Sequence, residues 1–196
     1  MEKTVKSTFT AEIVVEKSRF ITFLIPLSNL DQVDDILEYY KNEFKGARHY
    51  CYAYRFKGQE KYSDDGEPRN TAGLPLLNVL KKQAINDAFL LTIRYFGGKK
   101  LGAGRLLRTY IEAGMSAVNV AEYFKKVPGK QLTLEVPYER FDEIKRQLEQ
   151  YGEISDIAFQ GFIVNVTLTT KARNTLLIEN AYNVIKKESI EIYEDI

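Results

Sequence analysis

From Ala88 to Phe96 the chain reads Ala-Phe-Leu-Leu-Thr-Ile-Arg-Tyr-Phe, a near-continuous apolar run broken only by Thr92 and Arg94. A strand with one wet face alternates apolar and polar residues, whereas a run of this kind needs cover on both faces. It predicts a central strand between layers. The residues that follow constrain it further. Gly97, Gly98, Gly102 and Gly104 are interleaved with Lys99, Lys100, Arg105 and Arg108, and no acid occurs between Arg94 and Arg108. Helical spacing resumes at about Ala103. Glycine permits close backbone approach, a helix start leaves amide N–H groups unpaired, and Arg and Lys place charge on phosphates, so this connection is where an anion is expected to bind.

The flanking segments supply the layers. Phe9 to Val15 alternates and Arg19 to Ile25 follows after a short break, which predicts an antiparallel strand pair. Ser28 and Asp31 fit a capping box, and Leu30, Val33, Leu37, Tyr40 and Phe44 recur at helical spacing up to Gly46. His49 to Phe56 reads as a strand, Lys57 to Asn70 as a polar loop, and Thr71 to Lys82 as a helix with Pro75 in its first turn. A long helix is expected from Ala103 to Glu122. The predicted order is β-β-α-β-α-β-α.

Lys125-Lys126-Val127-Pro128-Gly129-Lys130 reads as a linker, dividing the chain into domains 1–127 and 128–196. Beyond it the pattern predicts a strand at Leu132 to Val136, a helix from Tyr138 to Tyr151 and strands at Glu153 to Phe159 and Phe162 to Thr169. A helix after Thr170 and a strand at Ser189 to Tyr193 complete it. This β-α-β-β-α-β order is that of a ferredoxin-like domain, a scaffold that specifies no activity. The fold class is α+β in two domains. Residues 1–127 carry 20 Lys and Arg against 15 Asp and Glu, net +5, while residues 128–196 carry 8 against 12, net −4. A polyanion would therefore meet the first domain.

Composition narrows the function classes. No window approaches the roughly 18 uncharged apolar residues of a membrane span, and the first residues lack the apolar core of a secretion signal, so the expected location is cytoplasmic, with no membrane partner. One cysteine, Cys51, and one histidine, His49, cannot assemble a zinc site of three or four such ligands.

The anion-binding candidates are Arg94, Gly97, Gly98, Lys99, Lys100, Gly102, Gly104, Arg105 and Arg108. Alternation with Ile93 and Tyr95 can turn Arg94 to the far face of its strand. Secondary candidates are His49, Tyr52, Asp64, Asp65 and Glu67. The three acids are either a Mg²⁺ site beside a phosphate or a solvated turn around Asp65-Gly66. His49 and Cys51 share a strand face and are either a base and a nucleophile or a packed strand. Tyr50, Tyr52, Tyr54, Tyr62 and Tyr95 either stack on single-stranded RNA bases or fill a core. A P-loop, a dinucleotide fingerprint and a Gly-x-Ser-x-Gly elbow are absent from the sequence. Neither a catalytic residue nor a cofactor is assigned.

Gly66-Glu67-Pro68, Thr71-Ala72-Gly73, Pro75, Leu77-Asn78-Val79-Leu80, Arg94-Tyr95-Phe96-Gly97-Gly98, Leu101-Gly102-Ala103-Gly104 and Arg108-Thr109-Tyr110 together resemble the signature of the Impact/YigZ family. His49-Tyr50-Cys51-Tyr52-Ala53-Tyr54 belongs to the same resemblance, which covers residues 15 to 120. Arg105 stands where the family pattern has a further glycine. The resemblance implies a first domain like domain 2 of ribosomal protein S5 and a second like the last domain of elongation factor G. By analogy it implies non-catalytic RNA or ribosome binding linked to translation. Eukaryotic relatives regulate translation through a scaffold that activates a stress kinase, so a protein partner is the second reading. A Mg-dependent phosphate- or nucleotide-handling enzyme is the third.

Overall fold

The computed structural model describes residues 2–196, which form two compact units. One runs to Lys125 and includes Ile196; the other spans Lys126–Asp195. Together they are a mixed α+β protein with two sheets and five α-helices.

In the first unit, strands β1 (Phe9–Val15), β2 (Ser18–Pro26), β3 (His49–Phe56), β4 (Gln59–Ser63) and β5 (Ala88–Tyr95) form one antiparallel sheet, ordered β1-β2-β5-β3-β4. The apolar run is the central strand, buried at every position but its last. Its two faces belong to different cores. Phe89, Leu91 and Ile93 pack with Phe23, Val33 and Tyr40 beneath α1 (Gln32–Glu43). Leu90 packs with Phe20 and Leu24 against Leu76 and Leu80 of α2 (Gly73–Lys82) and Tyr110 and Ala113 of α3 (Ala103–Asn119). Thr92 lies on this second face, where its hydroxyl meets that of Thr22 at 2.9 Å, which is how a buried strand tolerates both polar side chains.

Three expectations are corrected here. The polar segment 57–70 contains β4, an edge strand mostly exposed, so burial left no apolar alternation to read. The start of α1 is closed by Asn29 and Gln32 rather than Ser28 and Asp31. Asn29 Oδ1 accepts the Gln32 N–H at 3.0 Å, and Gln32 Oε1 accepts the N–H groups of Ser28 and Asn29. The expected linker lies inside β6 (Phe124–Pro137); Pro128 precedes the ladder with β8 (Ile163–Lys171), which begins at Gly129 and so loses no bond to the proline.

The second unit continues with α4 (Phe141–Leu148), β7 (Gly152–Gln160), β8, α5 (Thr175–Ala181) and β9 (Asn183–Asp195), the predicted βαββαβ order with short 3-10 turns before both helices. Its sheet runs β7-β8-β6-β9, and Leu132, Leu134, Val164, Val166 and Leu168 alternate inward to meet Ile144, Leu148 and Ile178 from the helices.

Candidate anion-binding site

After β5 the chain must pass against the turn between β1 and β2 before it enters α3. A Cβ at Gly97 would overlap the backbone of Lys17 and Ser18, and the Gly97 N–H is held by Ser18 Oγ at 3.1 Å. Gly97→Ala is therefore expected to lower stability by about 2–3 kcal/mol through overpacking, read as a lower urea midpoint. Gly104→Ala, whose Cβ meets nothing within 4 Å, is expected to leave that midpoint unlowered.

The same turn brings an acid to the basic loop. Glu16, in the left-handed region at φ 48°, accepts from Lys99 Nζ at 3.0 Å and Arg105 Nη1 at 2.8 Å. These hydrogen bonds hold its carboxyl below the usual range. The expectation of a connection without acids thus fails in space although it holds along the sequence. Lys99 and Arg105 remain solvent-exposed despite the pairing, as do Lys100 and Arg108.

Gly102, at φ 77° and ψ 149°, is the residue before α3, a conformation that disfavours any side chain. Gly102 offers no side-chain cap to this helix, and its first turn holds no acid. The start of α3, the end of β5 and the loop Gly66-Glu67-Pro68 line a cavity of about 320 Å³ together with Arg48, His49 and Lys100.

Arg94 lies on the α3 side of the sheet, yet it is not a free anion ligand. It is only 4% exposed, and Nη1 donates to Glu67 Oε1 at 2.6 Å. Glu67 Oε1 also accepts from Tyr110 Oη at 2.9 Å, and Glu67 Oε2 lies 3.7 Å from His49 Nε2. Nη2 makes a long contact to Ser18 Oγ at 3.5 Å, and Nε is enclosed with no partner among the described residues. The imidazole is oriented by Nδ1, which donates to the Asp65 carbonyl at 2.8 Å.

The other acids are structural. Asp64 Oδ1 accepts the N–H groups of Ala72 and Gly73 and Oδ2 that of Asn70, while Asp65 Oδ2 accepts from Tyr50 N. With Glu67 held by Arg94 and Tyr110, the Mg²⁺ reading loses its ligands; among the described residues no cluster of three His, Cys, Asp or Glu side chains is placed to hold a metal ion. Cys51 is fully buried, donates to the Asp64 carbonyl and meets Tyr110 Oη at 3.3 Å. Burial pushes its thiol pKa far up, so it supplies no thiolate for a nucleophile and base pair with His49.

Tyr52 is also corrected. Residues of β3 alternate, and while Cys51 and Ala53 face α2 and α3, Tyr50, Tyr52 and Tyr54 face the α1 side, where Tyr52 and Tyr54 stack on Phe89. They fill a core instead of offering faces to bases. The cavity thus gathers Arg94, Lys100 and Gly102 from the primary candidates and His49 and Glu67 from the secondary ones. Gly98, Lys99, Gly104, Arg105 and Arg108 belong to the surrounding loop and helix, outside its lining. Glu16, Ser18 and Arg48 were not anticipated, since nothing local in sequence marks them; Tyr110 was visible only as part of Arg108-Thr109-Tyr110.

Comparison with known proteins converges on the same stretch. Residues 16–118 match the Impact N-terminal domain. An IMPACT family member of Haemophilus influenzae is 31% identical, with 96% of this chain and 97% of the relative aligned. The IMPACT family member YvyE of Bacillus subtilis is 42% identical over 125 residues, 61% of this chain, and the match spans 58% of that relative. The crystal structure of a hypothetical protein superposes with a TM-score of 0.64 at 26% identity, covering 94% of this chain and 97% of that one. With the Arg94–Glu67–Tyr110 network and the glycine-rich turn both inside the matched region, this chain belongs to the IMPACT family.

Proposed function

We propose that this protein is a non-catalytic, translation-linked RNA- or ribosome-binding protein, and that the loop from Gly97 to Arg105 with the start of α3 is its polyanion contact. The observation that carries the reading is the gathering of Arg48, Lys99, Lys100, Arg105 and Arg108, all exposed, around a helix start whose N-cap residue, Gly102, has no side chain to cap it. Helix N-termini and exposed cations attract phosphates by the same sign of charge, and release of counterions from the polyanion adds affinity. On this reading residues 1–127 form a domain like domain 2 of ribosomal protein S5, and residues 128–196 a ferredoxin-like domain resembling the last domain of elongation factor G. The partner meets the basic first domain.

Filter binding of total RNA, ribosomal subunits and a duplex DNA control at two salt concentrations tests it. RNA or subunits are expected to bind above the DNA control. Replacing Lys99, Lys100 and Arg105 together by alanine is expected to weaken binding roughly tenfold or more and to flatten the slope of log K against log salt by about 2. Unchanged affinity and slope would remove this loop from the interface.

A protein partner is the second reading, favoured by an aromatic patch on the other unit. Phe162 is 88% exposed and Phe159 60%, and Phe159 makes edge contacts with Tyr138 and Phe141. Aromatic side chains in such numbers at a surface are the usual anchors of protein contacts.

A further inference from the structure

We infer that Glu16 is an internal competitor for the polyanion, an assignment that rests on the reading of the loop from Gly97 to Arg105 as the polyanion contact. Its carboxylate occupies the place at Lys99 and Arg105 where backbone phosphates bind, and it must leave before they do.

Two independent observations meet at this residue. The first is how the carboxylate is used. Its oxygens take one cation each, Oε2 accepting from Lys99 Nζ at 3.0 Å and Oε1 from Arg105 Nη1 at 2.8 Å, so it bridges two cations of the basic connection as two oxygens of a phosphate would. The second is where the carboxylate comes from. Val15 pairs with Ser18, so Glu16 and Lys17 form a two-residue hairpin turn, and both stand at positive φ, 48° and 64°. Asn-Gly is the usual pair in such a turn, and a long side chain there is strained. Glu16 is thus poorly suited to the turn it makes and well placed for the loop it reaches. Close packing of Gly97 on the backbone of Lys17 fixes that placement.

The contact is also able to yield. The side chains of Lys99, Arg105 and Glu16 are 68%, 49% and 30% exposed, and ion pairs this open to solvent contribute little and weaken with salt. One carboxylate charge holds both cations, whereas successive phosphates of a nucleic acid bring one charge each. A polyanion with closely spaced phosphates therefore displaces Glu16, while an isolated anion meets an equal charge already in place. Glu16 in this way sets the charge density that a ligand must reach. Glu12 provides the internal comparison: it is an exposed acid of the same hairpin, but its partner is Arg19 of β2, at 2.8 and 2.9 Å.

The test compares Glu16→Gln with Glu12→Gln, which add the same net charge, by fluorescence anisotropy with a fluorescein-labelled single-stranded RNA and by the salt needed for elution from heparin. Glutamine keeps the size of Glu16 but neutralises it and turns an NH₂ towards the cations. Glu16→Gln is expected to tighten RNA binding roughly three- to tenfold, the gain from freeing two exposed pairs, and to leave the urea midpoint near that of the parent protein. Glu12→Gln is expected to change affinity by less than about twofold, its charge lying outside the contact. With Lys99 and Arg105 both replaced by alanine, the gain from Glu16→Gln is expected to vanish. Equal gains from the two glutamine variants would mean that net charge alone acts and would overturn the proposal, as would a gain that survives loss of both cations. RNA binding that Glu16→Gln leaves unchanged would overturn it and leave the RNA reading standing. Later elution of Glu16→Gln than of Glu12→Gln from heparin, with no RNA binding by any of the proteins, would uphold the competitor and end the RNA reading. No binding to either probe would overturn both.

Discussion

Arg94→Met is expected to destabilise the protein by about 3–5 kcal/mol, because it strands the Glu67 carboxylate at a site where both partners are at least nine-tenths buried. Tyr110 Oη would still donate to Glu67, but one neutral hydrogen bond does not replace a guanidinium at 2.6 Å. Glu67→Met should do comparable harm, leaving Arg94 as an uncompensated cation between the rings of Phe20 and Phe96, whose centroids lie 5.2 and 5.5 Å from Cζ. The informative variant is the double one. If the pair is an internally balanced unit, Arg94→Met with Glu67→Met recovers a large part of either loss, because two apolar side chains need no partner. Urea midpoints of the four proteins, followed by circular dichroism, measure the coupling. Additive losses in the double variant would mean that the two residues act separately.

That pair also shows where sequence reasoning reaches and where it stops. The central strand was legible from Ala88 to Tyr95 because burial on both faces writes a continuous apolar run. The helix start at Ala103 was legible because glycine and a change of period mark it. The partnerships were not. Glu67 lies 27 residues from Arg94, and Glu16 lies 83 and 89 residues from Lys99 and Arg105, so only the paired strands and packed helix bring them together. The tyrosines of β3 show a subtler limit. Their alternation was visible, but which set faces α1 depends on which side of the sheet each helix crosses. Edge strand β4 was hidden because its side chains are almost all in solvent and carry no periodic signal.

Asp64 carries the second large expectation, since one carboxylate organises the entire loop that holds Glu67. Its oxygens accept the N–H groups of Asn70 at 2.7 Å, Ala72 at 3.0 Å and Gly73 at 2.8 Å, the last two closing the start of α2. Asp64→Ala removes all three acceptors at once in a part-buried setting. With hydrogen bonds to a charged group and a helix cap both lost, about 2–4 kcal/mol of stability should disappear. Asp64→Asn separates charge from geometry. Its amide oxygen can keep the bonds to Ala72 and Gly73, but its NH₂ then faces the Asn70 N–H, so about half the loss is expected. Because Glu67 N donates to the Asp64 carbonyl at 2.9 Å, the loop has a second tether that neither substitution touches. Hydrogen exchange in Asp64→Ala should therefore accelerate most at Asn70, Ala72 and Gly73, with a smaller change at Glu67. Uniform acceleration from Asp64 to Gly73 would show that the carboxylate, not the backbone turn, holds Glu67 over Arg94; exchange rates matching the parent protein would remove Asp64 from its organising role.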